Sequence, residues 1–204
     1  KRQEEMLEMA SLGAKVMQPH SIQDARLNRV DIEVKNSFKN ISGSLITKKK
    51  NVSTKNIIRG VSFTKNDAKI TLVGVKDKPG VAAAIFEPMY KNSINVDMVV
   101  QNISANGKET DLTFTIKTED LNKTKKTIQE NKDISYRKLI FDKGVSKISI
   151  IGVGMITTPG VTFRMFQTLA NKKINIQVIS TSEIKISVLI NKKNTKKALE
   201  ALHK

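Results

Sequence analysis

The sequence predicts an α+β fold that contains two βαββαβ units. One observation is that a stretch of the chain occurs twice, first from Lys69 to Ser104 and again from Lys147 to Ile184. A second is that both copies have the same order: an alternating apolar strand, a Pro-Gly break, a helical apolar pattern and another strand. A third is that the later copy lacks its fourth strand, while Ile57–Phe63, before both copies, is a predicted strand that belongs to neither of them. Two copies are too few for a solenoid, so they indicate a duplicated small domain.

The Pro-Gly pair marks the most informative point of each copy. Pro79-Gly80-Val81 in the first copy matches Pro159-Gly160-Val161 in the second, and the second turn is longer by two residues. Proline fixes φ, and glycine adopts conformations that other residues avoid. A glycine before a helix leaves the first backbone N–H groups open, and such a terminus holds a carboxylate or phosphate well. A single unit of this kind is also typical of a tight turn without a ligand.

The predicted elements of the first unit are strand 68–75, helix 80–92, strand 94–101, loop 104–109, strand 110–117, helix 119–131 and strand 134–141. The second unit has strand 145–153, helix 160–172, strands 175–180 and 184–190, and helix 193–202. Thr64–Asp67 is a predicted turn, so Ile57–Phe63 is free to cross over and complete the second unit. The first domain (66–142) would then be inserted in the second (56–65 plus 143–204).

Residues 1–55 carry no repeat and are too few for a stable core of their own. The pattern predicts a helix over Glu4–Ala14, a second helix from Pro19 or Ser21 through Asn28, a strand at Val30–Val34 and a polar loop at Asn36–Leu45. Residues 47–56 are charged, lack apolar periodicity and are interpreted as a linker.

Composition limits the classes of function. The 204 residues carry a formal charge of +17 and no cysteine, which excludes disulfides and thiolate metal sites. The charge invites a nucleic-acid hypothesis, but arginine is scarce and aromatic residues make up only 4%, too few for base stacking. No run approaches the length of a membrane span. We therefore expect neither a nucleic-acid nor a membrane partner, and His20 and His203 lack metal-ligand partners at useful spacing.

Three segments resemble a known family. They read D-K-P-G-V-A at Asp77–Ala82, I-N-V-D-M-V-V-Q-N at Ile94–Asn102 and I-S-T-S-E-I at Ile179–Ile184. They resemble the paired regulatory ACT domains of aspartate kinase, which implies two ferredoxin-like domains with the first inserted in the second. Glu5–Ile22 and Asn36–Ile46 resemble the C-terminal end of the α/β amino-acid-kinase domain, so 1–55 is expected to be that tail and a linker.

The resemblance implies two sets of effector-binding residues. They are Asp77, Lys78, Pro79, Gly80, Val81, Ala82, Asn95, Val96, Asp97 and Gln101 in the first copy, and Val161, Thr162, Asn175, Ile176, Ser182 and Glu183 in the second. Because residues 95, 97 and 101 share parity on one strand, they are expected on one face, which is either a solvent face or a site wall. Asp77 alone is equally typical of a solvated turn. The second turn has Ile156-Thr157-Thr158 and no acidic residue, so the two pockets should prefer different ligands.

The function implied is the regulatory portion of aspartate kinase, which phosphorylates aspartate with ATP and is feedback-inhibited by lysine, threonine or both. The family's K-F-G-G-T phosphate-binding motif is absent, so this chain should have no catalytic residue, bind no metal or cofactor, and be inactive alone, with Mg-ATP a substrate of the full enzyme. Ser37 and Lys39 would border the nucleotide site, or are simply solvated. A homodimer in the cytoplasm is expected. A free-standing ACT amino-acid-sensing module is the alternative.

Overall fold

The computed structural model describes residues 1–14, 16–48, 57–103, 108–155 and 158–203. Within these ranges the strands form one two-stranded sheet and two four-stranded sheets. The predicted α+β class with two ferredoxin-like units is confirmed. The residues from 49 to 56 of the predicted linker, and Ile156 and Thr157 of the second turn, lie outside the described ranges.

The N-terminal segment, residues 1–48, contains α1 (Gln3–Ser11), α2 (Pro19–Leu27), β1 (Ile32–Val34) and β2 (Ser44–Ile46). Its small core consists of Met6, Ile22 and Ile46. The prediction of a loop through Leu45 was wrong, because Ser44–Ile46 pairs antiparallel with Ile32–Val34. A three-residue strand is too short to show the alternation by which strands are recognised in sequence.

The first unit follows strand β3 (Gly60–Thr64) and consists of β4 (Asp67–Lys76), α3 (Val81–Lys91), β5 (Val96–Ile103), β6 (Glu109–Lys117), α4 (Leu121–Glu130) and β7 (Lys138–Asp142). The sheet order is β5-β6-β4-β7, and its pairs are antiparallel. Both helices cover one face, where Ile70, Ile85, Phe114 and Ile128 are fully buried. The final strand was predicted from residue 134, but Ile134 lies in the preceding turn, where it joins this core.

The second unit consists of β8 (Val145–Ile151), α5 (Val161–Asn171), β9 (Ile176–Thr181), β10 (Lys185–Asn191) and α6 (Thr195–Leu202). Strand β3 completes its sheet in the order β3-β8-β10-β9, with Phe63 opposite Ile148. Strand β8 ends at Ile151 rather than at the predicted residue 153. A 3-10 turn, Val153–Met155, follows Gly152, whose N–H donates to the Ile184 carbonyl at 2.9 Å.

The duplication is visible in the backbone. Gly80 has φ 89° and ψ −9°, and Gly160 has φ 90° and ψ −5°. Each glycine precedes a helix of 11 residues. Ser93 and Lys173, at the far ends of these helices, have φ 53° and 55°. The two copies therefore share the backbone conformation at the glycine and at the far end of the helix, although their sequences differ.

The two units pack sheet against sheet. Met98 of the first unit meets Val178 and Leu189 of the second in a buried apolar contact. Beside it, the Lys147 ammonium lies 2.6 Å from Asp97 Oδ2 and 3.4 Å from Asp67 Oδ2. At the equivalent place in the other copy, Lys69 donates to the side-chain oxygen of Gln177. Across the contact between the units, one copy thus carries an ion pair and the other a neutral acceptor, while Lys69 also lies 3.8 Å from Asp142 of its own sheet.

None of the helices in the described ranges combines the length and the apolar composition that crossing a bilayer requires.

Candidate functional site

The Pro-Gly turn of the second unit forms one wall of a cavity of about 470 Å³. The opposite wall is the end of the β9–β10 hairpin. The cavity is lined by Met155, Thr158, Pro159, Gly160, Val161, Thr162, Thr181, Ser182, Glu183 and Ile186. It is large enough for a small polar metabolite, and the turn, the start of α5 and the hairpin hold its walls in place.

The start of α5 offers unused hydrogen-bond donors to this cavity. Within the described ranges no side chain caps the helix, and its first backbone bond runs from the Arg164 N–H to the Gly160 carbonyl. A Cβ added at Gly160 would meet nothing within 4 Å, so the glycine is required by its φ and the space above it is open. Three amide N–H groups in such a terminus favour an anionic group such as a carboxylate.

Glu183 gives the same cavity a negative charge. Its side chain and that of Ser182 are exposed at the hairpin end. A carboxylate on one wall and open N–H groups on the other match a ligand that carries both an ammonium and a carboxylate. An amino acid is the simplest such ligand.

The structure brings together four of the six residues that the sequence indicated in the second copy: Val161, Thr162, Ser182 and Glu183 line this cavity. Asn175 is exposed outside its lining, and Ile176 packs against the core of the second unit. Sequence analysis missed Met155, Thr158, Thr181 and Ile186 as lining residues, and it indicated Pro159 and Gly160 only as the turn before the helix. Thr181 lies within the Ile179–Ile184 segment that carried the resemblance, and Thr158 directly precedes the Pro-Gly pair, whereas nothing local distinguishes Met155 and Ile186.

In the first copy the predicted residues are less closely gathered. The turn from Asp77 to Gly80 is exposed, with the Asp77 N–H bound to the Lys108 carbonyl and the Val81 N–H to that of Lys78. Asn95 and Val96 instead line a cavity of about 250 Å³ against α3, with Phe86, Met89, Tyr90, Ser93, Ile94 and Val99. The effector-binding role of these first-copy residues, including Pro79, Ala82 and Gln101, stays a prediction.

The expectation that Asn95, Asp97 and Gln101 share one face was wrong. Asp97 lies opposite Thr115, whereas Gln101 lies opposite Leu112, a residue of the helix-covered core. The register shifts between Asp97 and Val100, where Met98 has φ 48°. Because a bulge adds a residue to one strand, it reverses the parity on which the prediction depended.

Asp97 points at the second unit. Its carboxylate accepts from Lys147 at 2.6 Å and from its neighbour's backbone, the Met98 N–H, at 2.8 Å. Partial burial raises the pKa of Asp97, but the hydrogen bond and charge of Lys147, the Met98 N–H and the charge of Lys185 outweigh it and lower the pKa below its ordinary value. Asp97 is therefore held as an anion in a contact between the units.

A second groove lies behind the cavity of the second unit. It has a volume of about 490 Å³, and Ser182 and Glu183 line both spaces. The groove's other wall is α1, through Glu4, Leu7 and Glu8. No sequence signal indicated that α1 would reach this part of the chain.

The remaining candidates lie elsewhere. Ser37 and Lys39 are exposed in the loop after β1, beside Phe38, which is 97% exposed. A larger cavity, of about 1030 Å³, lies between α5, α6 and β3. Its lining includes Val61 and Phe63 and none of the predicted site residues.

Comparison with known proteins identifies the repeated unit. A family model described as the ACT domain matches residues 70–131 and 148–204. An aspartate kinase from Pseudomonas fluorescens (strain SBW25) is 45% identical over 202 residues, which are 98% of this chain and 49% of that protein. The chain thus spans about half the length of the curated relatives it matches.

Solved structures extend the comparison. The regulatory subunit of aspartate kinase from Thermus thermophilus, in a ligand-free form, is 33% identical, with a TM-score of 0.68 over 72% of this chain and 97% of that one. E. coli aspartokinase III in complex with lysine and aspartate, described as the T-state, has a TM-score of 0.75 at 21% identity over 100% of this chain and 45% of that one. At that identity the second likeness concerns the fold alone.

Proposed function

The chain belongs to the aspartate kinase family as its regulatory ACT-domain region, and on that premise we propose that its second-unit cavity binds a free amino acid as an allosteric effector. The observation that carries the proposal is the pairing of open N–H groups at Gly160–Thr162 with the carboxylate of Glu183 across one cavity. The N–H groups take the effector's carboxylate and Glu183 takes its ammonium. Ser182 and Thr162 supply further oxygens.

Lysine and threonine are the proposed effectors. The 33% identity to the regulatory subunit of aspartate kinase from Thermus thermophilus supports a regulatory ligand site in this chain. The turn of the first unit carries an acidic residue, Asp77, whereas the corresponding turn of the second unit has no acidic residue. The two units therefore prefer different effectors, with Asp77, Gly80, Ala82 and Gln101 as the proposed contacts in the first.

The whole protein is proposed to be a cytoplasmic aspartate kinase that uses Mg-ATP and aspartate in lysine, threonine and methionine biosynthesis. Its curated relatives carry that name over twice the length of this chain. On this proposal residues 1–55 are the end of the kinase domain, so effector binding is transmitted through them. This chain alone is expected to form no aspartyl phosphate from ATP and aspartate.

Isothermal titration of the chain with L-lysine and with L-threonine tests effector binding. At least one is expected to bind, and Glu183→Gln should weaken it about tenfold, the equivalent of 1.4 kcal/mol or one charge-assisted contact. Glu200→Gln is the matched control, because Glu200 lies on α6 with its partner Lys196 and outside this cavity. Absence of heat with both amino acids would contradict the proposal, as would equal binding by the Glu183 variant.

We further propose that two chains associate through β5 and β9. These strands are sheet edges, and their equivalent residues Val99 and Ile179 are 50% and 43% exposed. An open edge with apolar side chains is a natural template for pairing with a second copy. Sedimentation at micromolar concentration with effector present should give a dimer, and a monomer would refute this part.

A further inference from the structure

We propose that α1 is coupled to the second-unit cavity through Glu5 and Glu8, so that the position of this helix depends on whether the cavity is occupied. The inference rests on the proposed function, since it concerns the same effector site. It adds which contacts carry the effect of the ligand out of that site into the N-terminal segment.

Two segments connect the cavity with α1. The first is the turn Val153–Met155, whose Met155 lines the cavity. The second is the hairpin end from Ser182 to Ile186, with Ser182, Glu183 and Ile186 in the lining. Each segment is contacted from behind by one glutamate of α1.

Glu5 contacts the first segment. Its Oε1 lies 3.4 Å from the Val153 N–H nitrogen and 3.8 Å from Arg59 Nε. The Glu5 side chain is only 2% exposed, and Oε2 has no hydrogen-bond partner among the described residues. A carboxylate buried with such long contacts is poorly satisfied, because charge-assisted hydrogen bonds are normally about 2.7–2.9 Å long. A small displacement of Val153 toward α1 therefore improves the contact substantially.

Glu8 contacts the second segment. Its Oε2 lies 3.2 Å from the Lys185 ammonium, and both side chains are largely buried, with 31% and 25% exposed. Lys185 is the first residue of β10 and belongs to this segment of the hairpin. Glu8 also lines the groove that shares Ser182 and Glu183 with the cavity, so these two hairpin residues border both spaces.

The rest of α1 moves with these contacts. The helix belongs to the core of the N-terminal segment through Met6, and the Gln3 amide donates to the Val30 carbonyl at 2.7 Å. The Leu12 carbonyl, just after α1, accepts from Ser62 of β3 at 2.8 Å, so the C-terminal end of the helix is anchored to the second unit. A shift at Glu5 or Glu8 is thus passed to the whole segment rather than absorbed in one loop.

The coupling has a defined sign. A ligand that orders the two segments reduces the entropy cost of docking α1 on them, so occupancy and docking of α1 support each other. By linkage, the factor by which docking raises effector affinity equals the factor by which effector stabilises docking. Variants that break either contact should therefore weaken effector binding without changing a residue of the cavity lining.

The test uses this chain with L-lysine or L-threonine, whichever binds more tightly in calorimetry. Glu5→Gln and Glu8→Gln are each expected to raise Kd about fivefold, the lower end of ordinary allosteric coupling. Hydrogen exchange of a peptide covering α1 should slow on effector binding in the parent chain and change little in the double variant. Glu33→Gln is the matched control, because Glu33 pairs with Lys35 at 3.2 Å inside the N-terminal segment and lines neither the cavity nor the groove.

Each outcome decides between the two proposals. If Glu183→Gln weakens binding but both α1 variants stay within twofold of the parent, the coupling is refuted and the effector site stands. The coupling is likewise refuted if effector binding slows hydrogen exchange of the amides at 158–162 but leaves the exchange of α1 unchanged. If neither amino acid binds, the effector site is refuted and the coupling falls with it. Lys185→Gln breaks the Glu8 contact from the other side, so it must reproduce Glu8→Gln.

Discussion

Replacing Asp97 by Asn tests the contact that holds the two units together. Lys147 is 4% exposed and shares its charge between Asp97 Oδ2 at 2.6 Å and Asp67 Oδ2 at 3.4 Å. The substitution keeps the shape and an acceptor oxygen but removes the negative charge. Lys147 is then left with Asp67 as its remaining anionic partner within 4 Å among the described residues.

The expected loss of stability is about 1–2 kcal/mol. Asn has only one oxygen where the carboxylate accepts from both Lys147 and the Met98 N–H, so the variant loses one hydrogen bond that involves a charged group, which contributes about 1.5–3 kcal/mol. The Asp97 side chain is 56% exposed, which reduces the effect through solvent screening. The larger penalty of about 3–5 kcal/mol for a stranded buried charge does not apply, because Asp67 still pairs with Lys147.

The pH dependence gives this prediction a second readout. The pKa of Asp97 is lowered in the folded chain, so its stabilisation is complete above the unfolded-state pKa of about 4 and is lost as the pH falls through the lower folded-state value. Urea unfolding should therefore separate parent and Asp97→Asn at pH 7 and bring them together in acid, below about pH 4.

The duplication supplies the matched control. Gln177 takes the place of Asp97 in the other copy and accepts from Lys69. Gln177→Glu should leave stability unchanged or raise it by up to about 1 kcal/mol, since the new pair is exposed. The reasoning would be refuted if the free energy of unfolding of Asp97→Asn at pH 7 were within about 0.3 kcal/mol of that of the parent. It would also be refuted if the difference between the two persisted unchanged in acid.

Four further substitutions follow from the backbone and the packing. Gly80→Ala and Gly160→Ala should each cost about 1–2 kcal/mol in urea unfolding and agree with each other, because both sites need φ near 90° and neither Cβ meets an atom within 4 Å. Gly152→Ala should cost more than either, because its Cβ would lie 2.0 Å from the Ile57 carbonyl oxygen; an equal cost would contradict that close contact. Leu189→Ala, fully buried between the units, should cost about 2–5 kcal/mol, and a loss below 1 kcal/mol would show that the sheets do not pack there.

The sequence by itself determined the elements whose signal is local and repeated. Two copies of one pattern predicted two units of one topology, and the Pro-Gly pairs predicted the turns at Gly80 and Gly160. Glycine carries that information because positive φ is a property of a single residue. Val161, Thr162, Ser182 and Glu183 were indicated as a set by resemblance, and the structure places them around one cavity.

Only the tertiary structure decided where side chains point after an irregularity and which distant segments meet. Asp97 faces the second unit rather than the side of Gln101 because of a bulge at Met98, and the consecutive apolar residues Met98, Val99 and Val100 hide the shift in alternation that the bulge produces. Glu5 and Glu8 look like ordinary charges on a helix, yet one is buried against Val153 and the other pairs with Lys185. Such contacts join residues more than 140 positions apart, and their energy depends on burial and distance, which the order of residues along the chain does not contain.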